Sequence, residues 1–218
     1  MKTKSYIVGI AGGSASGKTT FLRDLQQMFP RGAVSVISQD NYYYPKEMQA
    51  VDEAGQINFD LPTAINRKEF FEDLKKLTQG DTVMRPEYGF NALSKEPALV
   101  VTEPAPIIVM EGLFVFHYEE IREMLDLKVY IDVLDDIKLE RRIVRDAIER
   151  GYNERAVRYQ WDNHVVPSYK KFLRPYRDSS DIIITNNINY NKGLEVLVNH
   201  LKVKVAEQIP AKQMKQQR

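Results

Sequence analysis

The 218-residue chain contains no cysteine. Disulfide frameworks, thiolate–zinc sites and cysteine nucleophiles are therefore excluded. It has only three histidines, scattered without metal-ligand spacing, and each reads as structural or solvated. Neither sign of charge is in excess. Thirty-one lysines and arginines against thirty aspartates and glutamates leave a net charge of +1, which gives no push towards nucleic acid or a membrane surface. Long apolar runs are also missing. Nothing approaches the ~18 residues of a membrane span, and the apolar stretch that follows Met1-Lys2-Thr3-Lys4 is too short for a signal peptide. The expectation is a soluble cytoplasmic protein with no nucleic-acid or membrane partner. No internal repeat is evident. The length suits one domain with elaborations, large enough to bury a core without staples.

What is present is concentrated first in residues 12–20. Gly12, Gly13, Ser14, Ala15, Ser16, Gly17, Lys18, Thr19 and Thr20 contain the pattern G-x-x-x-x-G-K-[ST], a phosphate-binding loop. The apolar run of residues 6–10 before it reads as a buried strand. Residues 21, 22, 25, 28 and 29 after it have amphipathic helical spacing. Strand, glycine loop and helix together are the context in which loop amides and a helix N-terminus face an anion. Lys18 is expected to reach the β- and γ-phosphates of ATP, and the Thr19 hydroxyl to hold Mg²⁺.

Further strands are expected at residues 33–38, 107–112, 127–132 and 181–184, with helices over 67–77, 117–125, 136–150 and 192–208. Residues 153–172 read as a helix interrupted at Pro167, and 82–84 with 98–101 as a small strand pair around a binding loop. Five apolar strands alternating with helices imply an α/β fold, three layers α/β/α, around a mostly parallel sheet. Asp40 and Glu111 each follow a strand, on the edge where open α/β sheets bind ligands. Glu111 stands in the position of a metal-holding Walker B carboxylate. Lys18, Thr19, Asp40 and Glu111 together suit phosphoryl transfer: a phosphate cradle, a metal site and a carboxylate free to take a hydroxyl proton. Arg142 and Arg145 are neighbours on one helix face, in reach of a phosphate if that helix acts as a lid.

Over residues 5–205 the sequence resembles the uridine kinase family, with phosphoribulokinase as a more distant relative. The resemblance rests on the phosphate loop, Ser38-Gln39-Asp40-Asn41-Tyr42-Tyr43, Asn58-Phe59-Asp60-x-Pro62, Pro86-x-Tyr88-x-Phe90 and Glu111-Gly112-Leu113. It continues in Arg141-Arg142-Ile143-Val144-Arg145-Asp146, Glu149-Arg150-Gly151 and Gln160. It implies ATP- and Mg²⁺-dependent phosphorylation of a ribonucleoside 5′-hydroxyl. Asp40 would then be the general base and Asp60 the partner of the ribose hydroxyls. Phe59 and Tyr88 would flank the base, Tyr42 and Gln160 would contact the nucleoside, and Arg142 and Arg145 would be lid arginines. The expected organisation is a single kinase domain over 1–210, with a hairpin insertion at 82–102 and lid and substrate helices at 136–175, and the polar residues 211–218 read as a frayed tail. Homo-oligomers are common in the family.

The departures fall in base recognition. Leu93 stands where the family pattern has a histidine, Gly89 where it has an aspartate, Tyr152 where it has an arginine, and Leu61 replaces a further histidine. Three readings follow: a nucleoside kinase, a kinase of another phosphoribosyl, sugar or vitamin-like alcohol, and a non-catalytic nucleotide-dependent binding protein. A guanine-reading Asn-Lys-x-Asp is missing, since the nearest match, Asn191-Lys192-Gly193-Leu194, lacks the aspartate.

Overall fold

The computed structural model describes residues 4–89 and 97–208. Its frame is a five-stranded sheet of β1 (Tyr6–Gly12), β2 (Val34–Ser38), β5 (Ile107–Gly112), β6 (Leu127–Asp132) and β7 (Ile182–Thr185). The order is β2-β5-β1-β6-β7, and every pairing is parallel. Successive side chains of a strand point to opposite faces. Ile7, Ile108, Met110 and Tyr130 therefore pack towards Phe70, Leu74 and Leu77 of α2 (Arg67–Gln79), while Val8, Ile10, Val109 and Val129 pack towards the other face. There they meet α1 (Lys18–Gln27) and α8 (Asn191–Gln208) through Phe21, Leu25, Leu197 and Leu201. Burial on both faces is why β1 and β5 read as continuous apolar runs. No described helix is long and apolar enough to cross a membrane.

Beside the sheet, β3 (Val83–Pro86) and β4 (Leu99–Thr102) form an antiparallel pair. The tip residues Phe90, Asn91 and Leu93, and the tail 211–218, lie outside the described residues.

Two expected helices differ. The one expected over 117–125 shrinks to the single turn α3 (Glu119–Arg122). Beyond it the amides of Met124 and Leu125 bond the carbonyls of Ile121 and Arg122, three residues back rather than four, so the chain leaves the helix in tighter turns. The interruption expected at Pro167 does not occur. The chain stays helical through α5 (Glu154–Gln160), α6 (Val166–Ser168) and α7 (Arg174–Arg177), joined by wide π-type turns at Trp161–Val165 and Tyr169–Leu173. A wider turn relieves the clash between a proline ring and the carbonyl one turn back. α4 (Asp135–Arg150) precedes this stretch and ends at Gly151, whose φ of 68° closes it.

Candidate active site

The carboxyl ends of β1, β2 and β5 open onto a cavity of about 920 Å³. Its floor is the phosphate loop. The helix that follows has Gly17 at its cap position, with φ 93° and no side-chain cap, and no acidic residue in its first turn. By contrast, α2 and α5 are capped by Asn66 and Asn153. The first amides of α1 thus lack the side-chain acceptor that helix starts ordinarily recruit, which leaves them for an anion. The loop is held tightly. A Cβ on Gly12 would lie 2.5 Å from the Ile131 carbonyl oxygen, and one on Gly17 would lie 2.6 Å from Asn186 Nδ2. That same Nδ2 donates to the Ser16 carbonyl at 2.9 Å. Ala15 adopts φ 60°, the one left-handed non-glycine among the described residues, and such local strain concentrates at ligand-binding turns. Lys18 Nζ donates to the carbonyls of Gly12 and Gly13 at 3.0 and 3.1 Å. Thr19 and Thr20 are exposed at its rim.

Two carboxylates face this lysine. Glu111 is 4% exposed and accepts from the Ser38 hydroxyl at 2.5 Å. Burial, with the charge of Asp40 nearby, pushes Glu111 up to about 7. Asp40 is also raised by burial, against the opposing pull of Lys18, Arg150 and Arg145. Lys18 is lowered by burial, against Glu111 and Asp40. Ser38 organises the pair, since its Oγ also accepts from the Asp40 amide at 3.3 Å. Among the described residues there is no cluster of three acidic or histidine side chains able to cage a metal. One buried carboxylate beside one loop hydroxyl fits Mg²⁺, which keeps its waters and takes phosphate oxygens as further ligands. The uncapped amides and Lys18 fit the phosphates.

Arg142 is 4% exposed and ties the site together. It donates to Ser14 Oγ at 2.9 Å and to Gln160 Oε1 at 3.0 Å, and it lies 3.8 Å from Asp60. Asp146, fully buried, gathers Arg142, Arg145 and Arg150 at 3.3, 2.8 and 3.5 Å. Asp146 follows Arg142 by four residues and precedes Arg150 by four, a helical spacing visible in the sequence although the residue was not singled out.

The cavity brings together Lys18, Thr19, Asp40, Phe59, Asp60, Glu111, Arg142, Arg145 and Gln160. It does not bring in Tyr42, and that assignment is corrected. Tyr42 is 2% exposed, its hydroxyl donates to Asp73 of α2 at 3.0 Å, and its ring lies under the Arg85 guanidinium at 3.9 Å. The neighbouring Tyr43 borders the cavity instead. Tyr88 stands behind it, with ring centroids 5.3 Å apart, and its amide bonds Asn41 Oδ1. Gly89 and Tyr152 both line the cavity, whereas Leu93 lies outside the described residues. Lys46 and His164 also border it and were missed. His164 falls four residues after Gln160 on a helical stretch, the one signal that could have placed it on the same face.

Residues 7–190 match the Phosphoribulokinase / Uridine kinase family. A uridine kinase of Brevibacillus brevis is 34% identical over 207 residues, covering 95% of each chain. Another, of Borrelia garinii subsp. bavariensis, is 36% identical over 197 residues, covering 90% of this chain and 94% of its own. The solved phosphoribulokinase from Rhodobacter spheroides shares the fold, with a TM-score of 0.60 at 16% identity, over 84% of this chain and 70% of that one. With its phosphate loop, paired strand-end carboxylates and arginine-bearing helix on one cavity, this chain belongs to the phosphoribulokinase/uridine kinase family and is a phosphotransferase with an alcohol acceptor.

Proposed function

We propose that the protein transfers the γ-phosphoryl group of ATP, with Mg²⁺, to the 5′-hydroxyl of a pyrimidine ribonucleoside, converting uridine or cytidine to UMP or CMP. The observation that carries this reading is the meeting of Lys18, Asp40 and Asp60 on one cavity. A phosphate cradle, a base and a carboxylate suited to vicinal hydroxyls are what such an acceptor requires. The relatives named uridine kinase support it.

In this reading Lys18 exchanges the Gly12 and Gly13 carbonyls for phosphate oxygens, and the loop amides take the remainder. Thr19 and Glu111 would hold Mg²⁺, which would supply charge neutralisation to the phosphates. Asp40 accepts the proton as the acceptor oxygen bonds to phosphorus and the bridging oxygen leaves with ADP. Its burial raises its basicity above that of an exposed aspartate. Such general-base help is worth roughly 10²–10⁴-fold. Arg142 and Arg145 offset charge on the transferring group, and Arg142 already touches the loop through Ser14. Asp60 and Gln160 orient the sugar, and Phe59 and Tyr43 border the ring. The protein acts in the cytoplasm on small molecules rather than on nucleic acid or membrane.

A second reading, another phosphoribosyl, sugar or vitamin-like alcohol as acceptor, is favoured by Gly89 and Tyr152 on the cavity wall in place of an acid and an arginine. Incubation with MgATP and a panel of nucleosides, sugars and polyols, with products resolved by mass spectrometry, separates the two. Turnover of uridine or cytidine above all others supports the first, and a preferred non-nucleoside alcohol supports the second.

A further inference from the structure

One wall of the cavity carries a histidine held in one orientation. His164 is 2% exposed, borders the cavity, and sits in the wide turn Trp161–Val165. Turns of this type recur at functional sites. Its Nε2 lies 2.7 Å from Asp52 Oδ2. The same oxygen accepts from the Tyr159 hydroxyl at 2.9 Å, and the Tyr159 ring meets the imidazole edge-on at 6.0 Å.

Asp52 does not depend on His164 for its place. Its other oxygen accepts the amides of Ala54 and Gln56 at 2.9 and 2.8 Å, and its own amide donates to the Gln56 carbonyl. The loop between the bridged residues Val51 and Ile57 is thus built around it. Ile57 and, further on, Phe59 and Asp60 border the same cavity. Burial opposes ionisation of Asp52, yet hydrogen bonds from Gln56, His164, Tyr159 and Ala54 bring it down to about 2. An ionised carboxylate can only accept. The proton shared with Asp52 therefore belongs to Nε2, and Nδ1 is left as the ring's second polar atom. Among the described residues no protein group bonds that nitrogen. It stands on a residue that borders the ligand cavity, within reach of a bound molecule.

Building on the acceptor reading above, we infer that His164 is a specificity-determining residue whose Nδ1 accepts a hydrogen bond from an N–H or O–H of the acceptor molecule. Asp52 is its positioning residue. The substrate class is an acceptor that presents a hydrogen-bond donor on its ring or polar end, as uracil does at N3 and cytosine at its exocyclic amine. A site built around a buried acceptor discriminates strongly against analogues that cannot donate.

The test pairs a substrate change with a protein change. The kcat/KM is measured for uridine and N3-methyluridine, and for cytidine and N4,N4-dimethylcytidine, with the parent and with His164→Gln. Glutamine places its amide near the Nε2 position, so it retains donation to Asp52 but has no counterpart of Nδ1. The parent should prefer the unmethylated member of the accepted pair by about tenfold or more, and in His164→Gln that ratio should fall to within about threefold, with acceptor KM raised and ATP KM unchanged. An unchanged ratio in the variant overturns the inference while the kinase reading stands. A parent that phosphorylates none of the four refutes the nucleoside reading instead.

In that case, or if the variant does not fold, ¹⁵N-histidine NMR of the parent decides. His164 should show a protonated Nε2 and a bare Nδ1 at pH 8, and titration with the acceptor that the parent phosphorylates, uridine or the preferred alcohol of the panel, should move the Nδ1 resonance. A proton on Nδ1, or an Nδ1 that does not respond, overturns the inference.

Discussion

Replacing Glu111 by glutamine isolates the electrostatic cost of the site. Glu111 is almost fully buried beside Asp40, and its pKa stands at about 7 against an ordinary 4.5. Between those values the folded protein keeps a proton that the unfolded chain has released. The raised pKa therefore costs nothing below about pH 4.5, and stability falls as pH rises towards 7. At 1.36 kcal/mol for each unit, a displacement of about 2.5 units is worth at most about 3 kcal/mol. Asp40 shares the burden, so the expected difference is on the order of 2 kcal/mol. Glu111→Gln cannot titrate. It weakens the bond from Ser38, which costs about 1 kcal/mol at any pH. Denaturant unfolding of parent and variant at pH 5 and pH 8, without nucleotide or metal, measures the contrast. The parent should lose about 2 kcal/mol more than the variant between the two conditions. A bound divalent cation reverses the local preference, so MgATP binding near pH 6.5 should release a proton from the parent and none from Glu111→Gln, read by calorimetry in buffers of differing ionisation enthalpy. Parallel stability profiles for the two proteins would refute the burial argument, and equal proton release on MgATP binding would refute the assignment of Glu111 to the metal.

Asp40→Asn should lower kcat by about 10²–10⁴-fold with ATP affinity little changed, and a loss of less than about threefold makes the residue positional only. Lys18→Ala should remove most turnover while unfolding at the same denaturant concentration, because the amine's hydrogen bonds among the described residues go to the loop's own carbonyls; undiminished transfer would contradict the phosphate site. Arg142→Ala strands Asp60, Gln160 and part of Asp146, and should cost about 3–5 kcal/mol of stability. Arg145, 30% exposed, should cost about 1 kcal/mol or less on truncation yet reduce kcat by about 10²-fold; equal stability losses in the two variants would show that Arg142 is no keystone. Gly17→Ala combines φ 93° with a 2.6 Å approach to Asn186 Nδ2. It should destabilise by more than about 1 kcal/mol and abolish nucleotide binding, measured by unfolding and by fluorescent nucleotide titration.

The phosphate loop was legible because its parts are contiguous. Strand, glycines, lysine and helix follow within about twenty residues, and local backbone geometry alone aims the amides. The sheet was legible for a similar reason. Strands buried on both faces carry unbroken apolar runs such as Ile107–Gly112, and alternation with helices implies parallel pairing. The carboxylates Asp40 and Glu111 were placed by topology, since both end strands of one parallel sheet.

Tertiary structure alone decided the rest. Tyr42 and Tyr43 are adjacent and chemically identical, and only the approach of Asp73 and Arg85 from other elements turns the first inward and leaves the second for the cavity. Arg142 and Arg145 share a spacing and a helix, yet Ser14 and Asp60, both far away in the chain, bury one and spare the other. Asp52 and His164 are 112 residues apart, and neither carries any mark of the other. The sequence by itself determined the phosphate cradle, the sheet and the strand-end carboxylates, because each depends on neighbours along the chain. Which side chains surround the acceptor was decided only when distant segments met, because burial and hydrogen-bond pairing between them are properties of the packed molecule.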